Sequence, residues 1–305
     1  MSEVNENIPY SHLIRRTLQE KSREFVFVIG CARSGTTILF DYLNDSPDIF
    51  LLNEDNAFLP NTSQDFWRSY NARWRQAGRN WTKGYTIPHF CVDCPFWFDV
   101  YLQLKNNFNL AGSKIAFSPL DDGYWNTIDN YCIPFFSEYF GKAQYLLTVR
   151  RPSENVLSMM KLFPQLPFGT AKNAWIKSFQ TQIILYSSLF RSRFVFHHTI
   201  NLDMMKELCS AMGTTAIDKS NDYFQMYGTQ ESFIIGNNFD QITINDSEKN
   251  ELIELEKAWR FFCKDVDEQT GRARQAVHIQ ELSRLLWSGL ERLRERPDAP
   301  FEWPG

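Results

Sequence analysis

Short apolar runs alternating with helix-period stretches set the frame of this chain. Phe25-Val-Phe-Val-Ile29 is apolar at every position, the pattern of a central parallel strand covered by helices on both faces. Ser113–Phe117 and Gln144–Val149 repeat the pattern, Ile49–Leu52 fits a further short strand, and Arg193–His198 is strand-like. Between them the spacing turns helical over 13–21, from the turn after Ile29 to about Asn44, over about 122–140 with a break near Pro134, then over 152–162 and 171–190. Asn201–Met212 reads as a helix with Asn201 as N-cap and Gly213 just past its end. Charged amphipathic helices are expected over 246–264 and 276–294. The alternation predicts an α/β fold of three layers, a central parallel sheet with helices on both faces.

Composition narrows the class. A chain of 305 residues, 43% of them apolar, can bury a large core, and one domain over 1–305 is expected. Residues 1–24 read as a polar lead-in and 297–305 as a tail. No apolar run approaches the roughly 18–20 residues that span a bilayer, and the first residues lack a basic and apolar leader, so a soluble, cytoplasmic protein is expected. The net charge of −4 argues against a nucleic-acid partner. Cys91-Val-Asp-Cys94 has the spacing of a zinc half-site or redox pair, but no second pair of ligands accompanies it. Two packed thiols or an incidental disulfide account for it, and no metal site is expected.

The chemistry concentrates where the first strand ends. Gly30-Cys31-Ala32-Arg33-Ser34-Gly35-Thr36-Thr37 is a glycine-bracketed turn that opens a helix. Free N–H groups at the helix start, the helix dipole and the Arg33 guanidinium together make an anion site suited to phosphate. The triphosphatase pattern G-x-x-x-x-G-K-[ST] fits at Gly30 and Gly35, yet Thr36 stands where its Lys should be. The only cation inside the loop is Arg33, which suits a single 5′-phosphate better than a triphosphate tail. A second strand-to-helix junction, Arg150-Arg-Pro152 with Ser158 eight residues after Arg150, can aim at the same anion.

These two loops in this order resemble the sulfotransferases that use 3′-phosphoadenosine 5′-phosphosulfate (PAPS), in their Golgi-type and bacterial branches, including carbohydrate and tyrosylprotein enzymes. In that family the 5′-phosphosulfate loop reads G-x-P-R-S-G-T-T-x-L, with Cys31-Ala32 here replacing the residue and Pro before the Arg. The resemblance implies that Cys31, Ala32, Arg33, Ser34, Gly35, Thr36 and Thr37 cradle the 5′ end, and that Arg150 and Ser158 bind the 3′-phosphate. It also implies a catalytic base 21 residues after the loop Arg, which is Glu54, in Asn53-Glu54-Asp55. Lys114, in Gly112-Ser-Lys-Ile115, matches a G-x-K-x-P segment whose Lys lies near the transferring group, with Ala116 in place of the Pro. Arg33 would stabilise charge on the leaving phosphate and sulfuryl oxygens.

The acceptor side is expected in the insertion 57–110. From Phe66 to Val92 there is no Asp or Glu, while Arg68, Arg73, Arg75, Arg79 and Lys83 interleave with Trp67, Tyr70, Trp74 and Trp81. An aromatic stripe facing the core with arginines in water would give this pattern; so would a cleft that stacks a sugar ring and pairs its anionic groups with Arg. The second arrangement implies a hydroxyl acceptor that is a carbohydrate or glycolipid, possessing acidic or sulfated groups. His89 is an alternative base without spacing to the phosphate loop, and adjacent His197 and His198 on a strand would face opposite sides. Tyr227-Gly228-Thr229 stands for the family's late cation-glycine loop without its cation. A P-loop kinase or NTPase, and a non-catalytic nucleotide-binding protein, are the competing functions.

Overall fold

The computed structural model describes residues 16–53, 101, 104–106, 108–117, 132–189, 191–219, 223–224, 244–273 and 278–295. Its centre is a five-stranded, all-parallel sheet. The strands are β1 (Phe25–Cys31), β2 (Ile49–Asn53), β3 (Leu110–Phe117), β4 (Gln144–Val149) and β5 (Ser192–Phe196), and their order in space is β2-β3-β1-β4-β5. Every pairing is parallel, with Val28 opposite both Lys114 and Leu146, and Asn53 opposite Lys114. β1 therefore lies in the middle, and the chain leaves it toward β2 and β3 on one side and reaches β4 and β5 on the other. In open α/β sheets that reversal opens a crevice at the carboxyl ends of the strands.

Strand alternation explains the two layers that cover this sheet. Phe25, Phe27 and Ile29 point to one core, shared with Tyr145, Leu147, Phe194 and Phe196. Val26 and Val28 point to the other, with Leu146, Val195 and residues of helices α1 (Thr36–Asn44) and α4 (Leu202–Met212). The first core is covered by residues of α2 (Pro152–Leu162), α3 (Phe168–Ser188), α5 (Asp246–Asp265) and α6 (His278–Glu295), and by helical residues within 132–140. Both faces of β1 are thus apolar because both are covered; all seven of its residues are buried. Aromatic rings dominate the first core: Phe27 stacks on Tyr145 at 5.6 Å between centroids and meets Phe136 and Phe140 edge-on at 4.9 Å each. Each such ring contributes about 1.5–3 kcal/mol by leaving water, with a further ~0.5–1.5 kcal/mol per favourable pair.

The helix ends follow local chemistry. Asn201 caps α4 by accepting from the Met204 N–H at 2.9 Å, and Gly213 ends it at φ 72°. Asn245 and Glu248 form a reciprocal capping box at the start of α5. A two-strand antiparallel hairpin, β6 (Val266–Asp267) and β7 (Arg272–Ala273), joins α5 toward α6, and the Gly271 carbonyl accepts from the Phe194 N–H at 2.8 Å. One expectation needs correction: β5 ends at Phe196, and His197–Thr199 form a 3-10 turn, so the two histidines are not alternating strand residues. The helix beginning near 171 starts earlier, at Phe168, and β3 starts at Leu110. Among the described residues no helix is long and apolar enough to cross a membrane.

Candidate functional site

The turn after β1 is built to bring backbone close to backbone. A Cβ on Gly30 would lie 1.9 Å from Thr148 Oγ1 and 2.5 Å from Ser34 Oγ, so only glycine fits beneath the loop. Ser34 closes the turn: its Oγ donates to the Cys31 carbonyl at 2.7 Å and shares a 2.7 Å hydrogen bond with Thr148 Oγ1 on the neighbouring strand. The Ser34 N–H also points to the Cys31 carbonyl, at 3.1 Å. Ala32 is fixed at both ends of its peptide, its N–H donating to the Phe117 carbonyl at 2.8 Å and its carbonyl accepting from Asn155 Nδ2 at 3.0 Å. These side chains and amides hold the loop shape.

What the loop leaves open is the start of α1. Gly35, the N-cap, is left-handed at φ 99° and offers no side-chain oxygen to the first helical N–H groups. Thr36 is buried, whereas Thr37 and the Arg33 side chain are exposed. Arg33 itself is left-handed at φ 70°, a conformation that costs a non-glycine residue about 1–2 kcal/mol. Contacts from the second loop hold it there. Arg150 Nη1 donates to the Arg33 carbonyl at 3.2 Å, and Arg33 Nε donates to Ser158 Oγ at 3.2 Å.

The second loop is anchored in turn. The Arg150 carbonyl accepts from Trp175 Nε1 at 3.1 Å, and its guanidinium pairs with Glu154 one helical turn on, at 3.2 Å. Burial pulls the Arg150 pKa down, Glu154 opposes that shift, and Arg33 adds to it. Arg151 donates to Glu256 at 2.7 Å, and the same carboxylate accepts from Ser153 Oγ at 2.6 Å and Ser153 N–H at 3.2 Å. A protein carboxylate thus occupies the start of α2, while the start of α1 lacks one from its own cap. Two guanidinium groups, one serine hydroxyl and one open helix terminus converge at the carboxyl edge of β1 and β4. The arrangement can bind a ligand with two separate phosphate-type groups.

The residues expected from sequence take distinct places. Arg33, Arg150 and Ser158 are brought together. Gly35, Thr36 and Thr37 form the open helix start. The Cys31 side chain turns away into the core, its sulfur 3.8 Å from Met159 Sδ, and burial pushes the thiol up to about 12. Lys114 is 5% exposed, and its Nζ sits 5.6 Å from the ring centroid of Phe40 in α1, so its cation lies under that helix. Glu54 lies outside the described residues; β2 ends at Asn53, immediately before it. His89, the Cys91–Cys94 pair, the arginine and tryptophan stretch 66–92 and Tyr227–Thr229 also lie outside them.

His197 is the neighbour that motif spacing misses. It follows β5 at the carboxyl edge, where such sheets bind ligands, and that position was the available signal. It packs so closely on the loop that a Cβ on Gly35 would lie 3.0 Å from its Cδ2. Burial, then the charges of Arg150, His198 and Arg33, lower its pKa to about 3, so the ring is neutral at ordinary pH. His198 is exposed instead, with Nε2 at 3.0 Å from Glu268.

The profile of the sulfotransferase family matches residues 26–199, more than half of the chain, a span that begins in β1 and ends just past His197. The chain belongs to the sulfotransferase family. Among solved structures it is similar to the sulfotransferase domain of the olefin synthase from Synechococcus PCC 7002, at 15% identity and TM-score 0.49, over 77% of this chain and 94% of that one. No curated protein matches it significantly.

Proposed function

We propose that this protein transfers a sulfuryl group from PAPS to a hydroxyl of a carbohydrate or glycolipid acceptor, with Glu54 as the base. The observation that carries the donor assignment is the Arg33–Ser158 contact at 3.2 Å, which joins the two loops into one double-anion cradle. The donor set fits such a nucleotide: the capless start of α1, Thr37 and the Arg33 guanidinium would hold the 5′ side, and Arg150 with Ser158 the 3′-phosphate. Bound PAPS would supply an activated sulfuryl group on its 5′-phosphate. Arg33 would then face the oxygens on which negative charge develops, and Lys114 would add positive charge beneath α1. Glu54 is the next residue in sequence after Asn53, the end of β2, and would take the proton of the attacking hydroxyl. The arginines and aromatics of residues 66–92 support an anionic sugar as acceptor.

Calorimetric titration tests the donor: 3′-phosphoadenosine 5′-phosphate against ADP and ATP–Mg²⁺, for the native protein and Arg150→Ala. Charge-assisted hydrogen bonds are worth about 1.5–3 kcal/mol each, so the variant should bind the 3′-phosphorylated nucleotide at least about tenfold more weakly. A preference for ATP–Mg²⁺ in the native protein would point to a kinase instead.

A further inference from the structure

On the edge of the sheet opposite the cradle lies a cleft of about 920 Å³, at the amino ends of β4 and β5. Five cations contribute to its lining: Arg23, Lys142, Arg191, Arg193 and Arg272. No Asp or Glu lines it among the described residues. Gln144, Tyr186, Ser187, Ser188 and Ser192 also line it, so the wall is polar without being acidic. β4 has six residues, so its two ends are roughly 20 Å apart, and the cleft is separate from the cradle.

Some basic groups near a helix end merely satisfy carbonyls, and here those carbonyls are already served. Ser192 Oγ donates to the carbonyls of Leu185 and Leu189 at the end of α3, at 3.4 and 2.9 Å. Arg191, which also borders the cleft, turns to the Arg23 and Lys142 carbonyls at 3.4 Å each. Arg193 is different. It is 6% exposed, its Nε has no hydrogen-bond partner, and its Nη1 stands 3.6 Å from the mostly exposed Glu207. A buried guanidinium N–H without an acceptor costs about 1–3 kcal/mol. Burial and nearby Arg272 both disfavour its charge, opposed by Glu207. An oxyanion in the cleft would offset the unfavourable charge.

We propose that this cleft is a second anion-binding site, for a small ligand carrying two or more phosphate or sulfate groups. Arg193 supplies a mostly buried guanidinium, and Arg272, Lys142 and Arg23 the surrounding charge. The distance from the cradle makes it a site for a ligand other than the transferring nucleotide. It does not depend on which reaction the cradle performs.

The test is calorimetric titration at low ionic strength with two probes, inorganic pyrophosphate and a trisulfated disaccharide. The native protein should bind at least one of them, and Arg150→Ala should keep that affinity within about twofold. Arg193→Gln with Arg272→Gln should weaken it at least tenfold. The exposed pair Lys142→Gln with Arg272→Gln should do the same without touching a buried residue, leaving the affinity for 3′-phosphoadenosine 5′-phosphate unchanged. The probe that binds more tightly identifies the source of the anionic groups, phosphate ester or sulfated sugar. The site is refuted by absence of binding to the native protein. It is equally refuted by loss in Arg150→Ala with retention in the cleft variants, or by equal weakening from exposed Lys264→Gln, which would reveal only a response to net charge.

Discussion

Arg33 Nε donates to Ser158 Oγ across 3.2 Å, linking residues 125 positions apart in the chain. Ser158 therefore has two tasks in the proposed cradle, orienting the Arg33 guanidinium and offering its hydroxyl to the 3′-phosphate. Ser158→Ala removes both while leaving the half-buried helix position easily filled. We expect affinity for 3′-phosphoadenosine 5′-phosphate to fall about tenfold, as the loss of one charge-assisted hydrogen bond implies. The melting temperature should stay within a degree or two of native. Calorimetry and thermal unfolding measured side by side check the pair of outcomes, and unchanged affinity would remove Ser158 from the site.

Gly30 sets the second expectation. A methyl there would collide with Thr148 Oγ1 at 1.9 Å and with the Thr148 carbonyl at 2.7 Å, and the latter cannot rotate away. Gly30→Ala should destabilise the fold by about 1–3 kcal/mol through overpacking and weaken nucleotide binding by displacing Ser34. Gly169, in the first turn of α3, has nothing within 4 Å of a built Cβ. Gly169→Ala should be neutral or stabilising by up to about 1 kcal/mol. Urea denaturation of the two variants distinguishes a packing constraint at Gly30 from a general intolerance of alanine.

The contrast between these glycines and His197 shows what a sequence makes legible. The β1 turn, Arg150 and Ser158 are read easily because each sits at a fixed offset from a strand end, and local geometry dictates where such residues point. Asn201 and Gly213 are equally readable as the two ends of α4. His197 lies 162 residues after Gly35, and only the folding of β5 beside β4 brings it onto the loop. Glu256 is hidden for the same reason: its capping of the Arg151–Ser153 turn arises from α5 packing over α2. Lys114 was legible as a residue of β3, yet its burial under Phe40 follows from α1 lying across that face.

His197 also predicts a pH dependence of stability. Its folded pKa, about 3, lies below the ordinary value of 6.5 because burial and the charges of Arg150, His198 and Arg33 oppose protonation. Below pH 6.5 the unfolded chain takes up a proton that the folded ring refuses. Stability from this residue is therefore complete above pH 6.5 and is lost progressively as pH falls toward 3. The slope is about 1.4 kcal/mol per pH unit, so roughly 2 kcal/mol should vanish between pH 6.5 and 5. His197→Gln should flatten that part of the profile while leaving the rest of the acid transition in place. Urea midpoints from pH 7.5 to 5 for both proteins provide the check, and parallel curves would show that His197 does not control the slope.

The base assignment makes the sharpest demand on kinetics. Glu54 follows Asn53, the end of β2, whose neighbour β3 carries Lys114 in register with Asn53. A base that takes the acceptor proton is needed in the transition state and not for holding the nucleotide. Glu54→Gln keeps the shape and removes the basic oxygen, so sulfuryl transfer should fall by about 10²–10⁴-fold. Affinity for 3′-phosphoadenosine 5′-phosphate should change less than about twofold. Asp55 stands next in the chain, so Asp55→Asn serves as the comparison and should retain most turnover. Loss of turnover and nucleotide affinity in equal measure would make Glu54 a structural residue of the cradle. The reverse pattern, with Asp55→Asn inactive and Glu54→Gln active, would move the base by one position along the chain.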